Sequence, residues 1–389
     1  MIPNTSVTGT LNGKAFVGLS DQSSVATWNF TTRDAPTLDA TNLTVDGSQT
    51  STANFRTIQA ALNAVVGMTT ATAVNIKVAA GTYNELLRYQ STLGSTQTVR
   101  ISGPSGNIKG DTCVVQWMNG NGMNNSTSTR ASFYFTGANL ILENITFKNT
   151  ALRSVVSQAE TLYFAGGATL AAFNSSFYSN QDTLQTSGRN WFYNCYIEGN
   201  VDFIWGTADA ALFENCTMHF VNDTPGTAAT YSLVVARTGA TIAATSSGKV
   251  GKGYVVLGST VNVDANVTAY FGRNAGSTGF YDQVALINTA FSGSGTVGAG
   301  LWNVQTAPLS LADSSYVGWK SAGCTGLNLA SLTTATGTSA TIANQASEYD
   351  TRDHILNRVV TVTNGAPSGY EAATAAWDVS TLASAWGAP

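Results

Sequence analysis

Three stretches, LAAFNSSFYSN (residues 170–180), NWFYNCYIEGN (residues 190–200) and ALFENCTMHF (residues 211–220), share one plan: an apolar run, an asparagine, then a second short alternating run. With Phe173, Phe192 and Phe213 set in register, Ser176, Cys195 and Cys216 coincide as well, at intervals of 19 and 21 residues. A unit of this length with short strands and turns cannot bury its inner face alone and does so by stacking on its neighbours. The pattern predicts an all-β fold, a right-handed parallel β-helix or solenoid. The competing arrangement is an antiparallel sandwich, whose strands recur about every 8 to 12 residues. Asn144, Asn194 and Asn215, each next to an apolar strand residue, favour stacked turns with side-chain ladders.

The same texture extends outward. VNIKVAAGTYNELL, TVRISGPSG and LILENITFKNT lie upstream, and GYVVLGSTVNV and VALINTAFSGS downstream, each an apolar or alternating segment closed by a turn. Ahead of them ANFRTIQAALNAVVGM, Ala53 to Met68, sets Phe55, Ile58, Ala61, Leu62 and Val65 at helical spacing and predicts a short N-terminal helix cap. Residues 1–33 read apart from residues 34–389: KAFVGLSDQSSVATWNFTTRDAP alternates like the end of an immunoglobulin-like module, or like an extra strand pair on the main domain. YEAATAAWDVSTLASAWGAP, at the other end, predicts a closing helix packed outside the solenoid.

Composition narrows the function. Charged residues are 10% of the chain against roughly 25% in typical globular proteins, while 43% of residues are apolar, a profile that suits an all-β extracellular protein. A net charge of −4 with no basic run offers no footprint for a phosphate backbone, so nucleic acid is not an expected partner. No run of 18 apolar residues occurs, so no membrane span is expected. The opening MIPNTSVTGT lacks the basic start and apolar middle of a signal peptide, and the expected localisation is secreted or extracytoplasmic, with a leader removed. The four cysteines show no CxxC pairing and there are two histidines, so no metal and no cofactor are expected.

Against this sparing use of charge, Asp182 and Asp202 stand one coil apart in apolar surroundings, followed by Thr183-Leu184 and Phe203-Ile204-Trp205. At matching places on adjacent rungs their backbones lie about 4.8 Å apart. Two carboxylates so close do not both ionise cheaply, which splits them into one neutral acid and one carboxylate. That division suits acid/base and nucleophilic work. A single aspartate in a turn is ordinarily just a turn residue; a pair in register is harder to explain that way.

SNQDTL and GNVDFIWG are similar to the QDTL and DFIFG motifs of the pectin methylesterases. The resemblance runs in order through NFRTIQAAL, GTYNE and NITFKNT, then SQAETLYF at the place of the family's QAVAL, and YFGRN where the family has LGRPW; it covers about residues 45 to 320. It implies that Asp202 is the nucleophile on a methyl-esterified galacturonate and Asp182 the general acid/base. Gln158 and Gln181 would donate to the developing oxyanion, and Arg273 would orient Asp202. Phe203, Trp205 and Trp302 would meet the sugar rings. Pectin is then the expected partner, bound by a monomer. The chain departs from the family at Asn274-Ala275, where Pro-Trp is usual, at Glu160-Thr161 in place of Val-Ala, which adds a charge near the cleft, and at Trp205 in place of Phe.

Other chemistries fit less well. No GxSxG elbow occurs and His219 and His354 lie in unremarkable segments, which argues against a serine esterase. The NTD, GHG and RIK segments of polygalacturonases are missing, as is the acidic calcium cluster of pectate lyases. An acyl-thioester hydrolase of the same fold and a noncatalytic carbohydrate-binding β-helix stay open. Cys195 and Cys216, in FYNCY and FENCT, should sit on adjacent coils, where they either bridge in an oxidising compartment or remain buried thiols.

Overall fold

The structure is a computed structural model that describes residues 37–106, 112–236, 247–273, 283–303, 318–328, 346–364 and 366–389, with short pieces at 10–11, 14–15, 316 and 340–341. The chain divides into two compact units, Met1–Asp39 and Ala40–Pro389. In the first, Thr10–Leu11 pairs antiparallel with Lys14–Ala15; most of the expected immunoglobulin-like or strand-pair segment lies outside the described residues.

The second unit is a parallel β-helix. Thirteen described strands form one long sheet and nine form a second, each strand pairing with its counterpart one coil away. Three more, among them Ala229–Ser232 and Val267–Tyr270, make a short third sheet. Because the stack is parallel and in register, like residues pile on like. Phe192 stacks on Phe213 at 4.8 Å, Phe135 on Phe164 at 6.0 Å and Phe147 on Phe177 at 5.9 Å, all buried between the sheets. Among the described residues no helix is long and apolar enough to cross a membrane.

The turn that joins the sheets explains the asparagines. Asn144, Asn174, Asn194, Asn215 and Asn288 all have φ between 48° and 54°, and Gly258 and Gly323 hold the same left-handed place on other coils. Asparagine tolerates this conformation better than other side-chain-bearing residues. It also bonds along the stack: Asn174 Nδ2 donates to Asn144 Oδ1 at 2.7 Å and Asn194 Nδ2 to Asn174 Oδ1 at 3.2 Å.

One expected register is corrected. Ala172, not Phe173, lies opposite Phe192, and Ser176 lies opposite Tyr196, so the first interval is 20 residues rather than 19. A shift of one residue exchanges the two faces of a strand. Phe173 therefore points outward, where it stacks on Tyr193 at 6.0 Å and on Trp386 at 5.1 Å. The next interval changes within a single strand pair: Leu184 to Gly188 face residues 20 positions on, whereas Arg189 to Tyr193 face residues 21 positions on, with Asp209 the extra residue of a bulge. The bulge is why the two aspartates are separated by 20 residues and the two cysteines by 21. Gly206, at φ 130°, belongs to the same stretch; a Cβ there would fall 2.1 Å from the Thr186 carbonyl oxygen.

A helix caps the N-terminal end of the solenoid and another lies on its outside, both as the sequence predicts. The helix Ile58–Val66 buries Ile58, Ala61, Leu62 and Val65, and Thr57 caps it by accepting from the Ala60 amide. Glu85 accepts from the Ile58 and Gln59 amides at 3.0 and 2.8 Å, placing a carboxylate at the positive end of the helix. At the end of the chain the helix Ser380–Trp386 lies on the outer face of the long sheet, over its middle strands. Trp386 packs 4.9 Å from Trp191 and donates through Nε1 to Glu143 at 2.7 Å.

Cys195 and Cys216 occupy adjacent coils but are free thiols, as are Cys113 and Cys324. In-register side chains on a parallel stack point the same way. Each sulfur accordingly donates to a carbonyl: Cys195 Sγ to Ala172 and Cys216 Sγ to Phe192, both at 3.4 Å. Burial pushes the Cys216 thiol well above its ordinary value, so it packs as a small apolar side chain.

Candidate active site

Asp182 and Asp202 each sit in the short connection leading from the second sheet into the long one. Asp182 follows the strand Ser176–Tyr178 and precedes Leu184–Tyr193; Asp202 follows Tyr196–Gly199 and precedes Ile204–Glu214. Leu184 pairs with Ile204, and the Asp182 and Leu184 amides donate to Val201 and Phe203 carbonyls at 3.1 and 2.9 Å, which aligns the aspartates on neighbouring rungs. Both adopt left-handed backbone conformations, φ 64° and 48°, which aspartate bears at modest cost. They are 5% and 7% exposed.

Each carboxylate meets an arginine. Arg273 donates to Asp202 through Nε at 2.8 Å and also through Nη2, a two-pronged contact that fixes the carboxylate's plane. It ends the strand Gly272–Arg273, whose partner is Trp302–Asn303. Gly272 permits this: a Cβ there would come within 3.1 Å of the Trp302 ring and 3.2 Å of Trp319. The second arginine, Arg130, was not legible in the sequence. It donates to Asp182 through Nη2 at 3.2 Å, to Gln158 Oε1 through Nη1 at 3.0 Å, and to both oxygens of Glu160 at 2.6 to 2.8 Å. Since arginine only donates, the Gln158 atom facing it must be the oxygen, which leaves the Gln158 amide nitrogen for the cleft. Gln158 and Gln181 are themselves bridged on adjacent rungs and half-buried.

The cluster therefore holds two arginines and three carboxyl groups, all from a chain that is 10% charged. Asp182 is pushed well above the ordinary carboxylate range, first by burial and next by the neighbouring Glu160, with Arg130 opposing. The charge of Asp202 contributes less than either. Proximity of the two aspartates, expected to split their proton affinities, is thus the lesser cause; desolvation and Glu160 come first. Glu160 is raised by burial and held down by Arg130.

The three aromatics expected at the sugar rings are placed differently from one another. Phe203 is fully buried, edge-on to Phe220 at 5.1 Å, and offers no ring surface: it is the inward residue of its rung, a correction to its expected role. Trp302 is 4% exposed and stacked on Trp319 at 5.3 Å, so it backs the Arg273 strand rather than facing the cleft. Trp205 is half-buried with the Arg130 guanidinium 5.8 Å from its ring centre, and Gln185 lies beside it on the next rung. From there a groove of 360 Å³ continues along the long sheet past Tyr163, Gln185, Ser187 and Thr207. Asn274-Ala275 lies outside the described residues.

The raised carboxyl of Asp182 makes stability depend on pH. A carboxyl whose folded value exceeds its unfolded one contributes stability that is fully present below the unfolded value and is lost as pH rises through the folded value. Asp182→Asn removes that loss. Its advantage over the parent should be absent below about pH 4 and grow above it, by about 1.4 kcal/mol for each pH unit separating the folded and unfolded values. Urea unfolding at a series of pH values reads it; an advantage that shrinks with rising pH contradicts the assignment.

A family model described as Pectinesterase matches residues 43–358. The chain is 38% identical over 112 residues to Putative pectinesterase 14 of Arabidopsis thaliana, covering 28% of this chain and 33% of that protein. The aligned stretch of each of the first curated relatives spans about a third of its length. Among solved structures, Pectin methylesterase from Carrot superposes with a TM-score of 0.62 at 20% identity, over 82% of this chain and 94% of the other. A pectin methylesterase in complex with hexasaccharide VII superposes at 0.57 and 19% identity, over 82% and 98%. At such identities the superpositions speak for the fold.

Proposed function

Since the chain belongs to the pectinesterase family, we propose that it hydrolyses the methyl esters of galacturonate residues in pectin, releasing methanol. The observation that carries this reading is the rung register that sets Asp182 beside Asp202, with Arg273 clamped on the latter. An Asp202 oxygen attacks the ester carbonyl and forms a tetrahedral intermediate, whose oxyanion accepts from the Gln158 and Gln181 amide nitrogens. As the carbon–oxygen bond to the methoxy group breaks, Asp182 gives its proton to that oxygen and methanol leaves. The ionised Asp182 then takes a proton from water, whose oxygen attacks the acyl carbon; Asp202 departs as a carboxylate and Asp182 is reset. The groove past Gln185 and Tyr163 would hold neighbouring sugars, with Trp205, the rung partner of Gln185, the ring best placed to stack. We place the enzyme outside the cytoplasm as a monomer, acting on pectin and not on nucleic acid.

Incubation with highly methylated pectin should release methanol without new reducing ends or unsaturated products. Hydrogen-bond donors from Gln158 and Gln181 take the part a Lewis acid would otherwise fill, so a chelator should leave the rate unchanged. Failure to release methanol, with an acyl thioester hydrolysed instead, would overturn the reading.

A further inference from the structure

Arg130 and Glu160 take no chemical step in the scheme above, yet they are the most deeply buried charges beside it: Arg130 is 6% exposed and Glu160 has no exposed surface. Burying a charge is costly unless it is paired, so the pair needs a reason to be at this place. Its geometry is lopsided. Arg130 directs Nε and Nη2 onto Glu160 in three contacts of 2.6 to 2.8 Å but reaches Asp182 with one at 3.2 Å. Asp182 follows Glu160 by one coil: Ala159 donates to Gln181 and Thr161 to Thr183, so the two carboxyl groups are rung neighbours.

We propose that Glu160, clamped by Arg130, is a positioning residue that keeps Asp182 protonated, by setting a buried carboxylate next to it and by occupying the arginine that would otherwise neutralise it. The contact pattern decides which of the two carboxyls is ionised. A two-oxygen contact with a guanidinium is the strong form of the pair and selects the carboxylate, whereas the single longer contact to Asp182 is compatible with a neutral acid. The remaining charged or titratable groups facing this cluster are Asp202, Arg273 and, beyond Glu160 along the same strand, Tyr163. Asp202 and Arg273 satisfy each other, and Tyr163 is itself raised by burial, so none of the three supplies or removes Asp182's proton. Glu160 is also the first charged neighbour, after burial, that lifts Asp182.

This inference rests on the ester-hydrolase reading, in which Asp182 must begin the cycle as an acid. The alkaline limb of kcat/KM against pH then reports loss of its proton. Glu160→Gln keeps the volume and an oxygen for Arg130 while removing the charge. It frees the guanidinium toward Asp182, and both effects favour the Asp182 carboxylate. The limb should move to lower pH by about one to two pH units, and Glu160→Asp, which restores the charge, should return it most of the way. An unmoved limb, or one displaced to higher pH, overturns the proposal; a merely structural Glu160 would lower the rate at every pH alike. A second measurement, made on the parent and on Glu160→Gln, needs no substrate. With ¹³C carboxyl-labelled aspartate, the Asp182 signal, assigned by its loss in Asp182→Asn, should titrate above the ordinary aspartate range in the parent protein. Titration within the ordinary range overturns the proposal. If the parent releases no methanol from pectin, the functional reading falls by itself, and the Asp182 titration compared between the parent and Glu160→Gln still decides the role of Glu160: an equal titration in the two overturns it.

Discussion

Asp202→Asn should lower methanol release from methylated pectin by about a thousandfold or more, the scale on which loss of a covalent nucleophile is felt. Asparagine is the cleanest replacement because the site's backbone is left-handed, φ 48°, a conformation it shares with aspartate, and because its side-chain oxygen can still accept from Arg273. Alanine would add backbone strain and take away the carboxylate that Arg273 clamps, confusing a chemical defect with a structural one. The folded structure should persist in the variant, since a solenoid spreads its stability over many coils. The measurement is single-turnover methanol release beside the unfolding curve. A variant that retains a tenth of the parent rate with an unaltered curve would remove Asp202 from the role of nucleophile.

Phe192→Ala should cost about 3 to 5 kcal/mol, the range for deleting a fully buried aromatic ring. Phe192 has no exposed surface, lies on Phe213 with the rings 10° from parallel, and meets Phe177 edge-on at 5.8 Å, so its removal opens the stack at the level of both aspartates. The cost should appear as a lower urea midpoint, and for a stacked repeat the slope should be checked against the parent, because partial unfolding of one end lowers it. Phe173→Ala makes the contrast. Phe173 points outward against Trp386 and is half-buried, so its loss should cost less than that of Phe192. Equal losses would mean that the two rings share a face and that the 20-residue register is wrong.

The repeat, the helix cap and the rung pairing of Asp182 with Asp202 were all legible in the sequence, for one physical reason. Each depends on a residue's own strand or turn and on the same strand one coil away, and stacking preserves that order in the chain. Three of the asparagines were legible too, although Asn174 and Asn288 escaped until the register was seen. What misled was facing. Phe173 looks like an inner residue because it is aromatic, but the helix Ser380–Trp386, about two hundred residues later, gives it an outer partner, and nothing local announces that. Phe203 fails in the opposite direction: its place beside Asp202 suggests contact with substrate, whereas strand alternation turns it into the core, and Trp205, two residues on, lies half-buried beside Arg130. Arg130 is the clearest case. In TSTRASF it is a lone arginine ahead of an apolar strand, indistinguishable from a surface charge, and only the coiling of the chain brings it onto Glu160, Gln158 and Asp182. Pattern along the chain determined the coil and the two aspartates; which charges share their buried space was decided by tertiary structure alone, because electrostatic neighbours are set by distance in space and a sequence records distance along the chain.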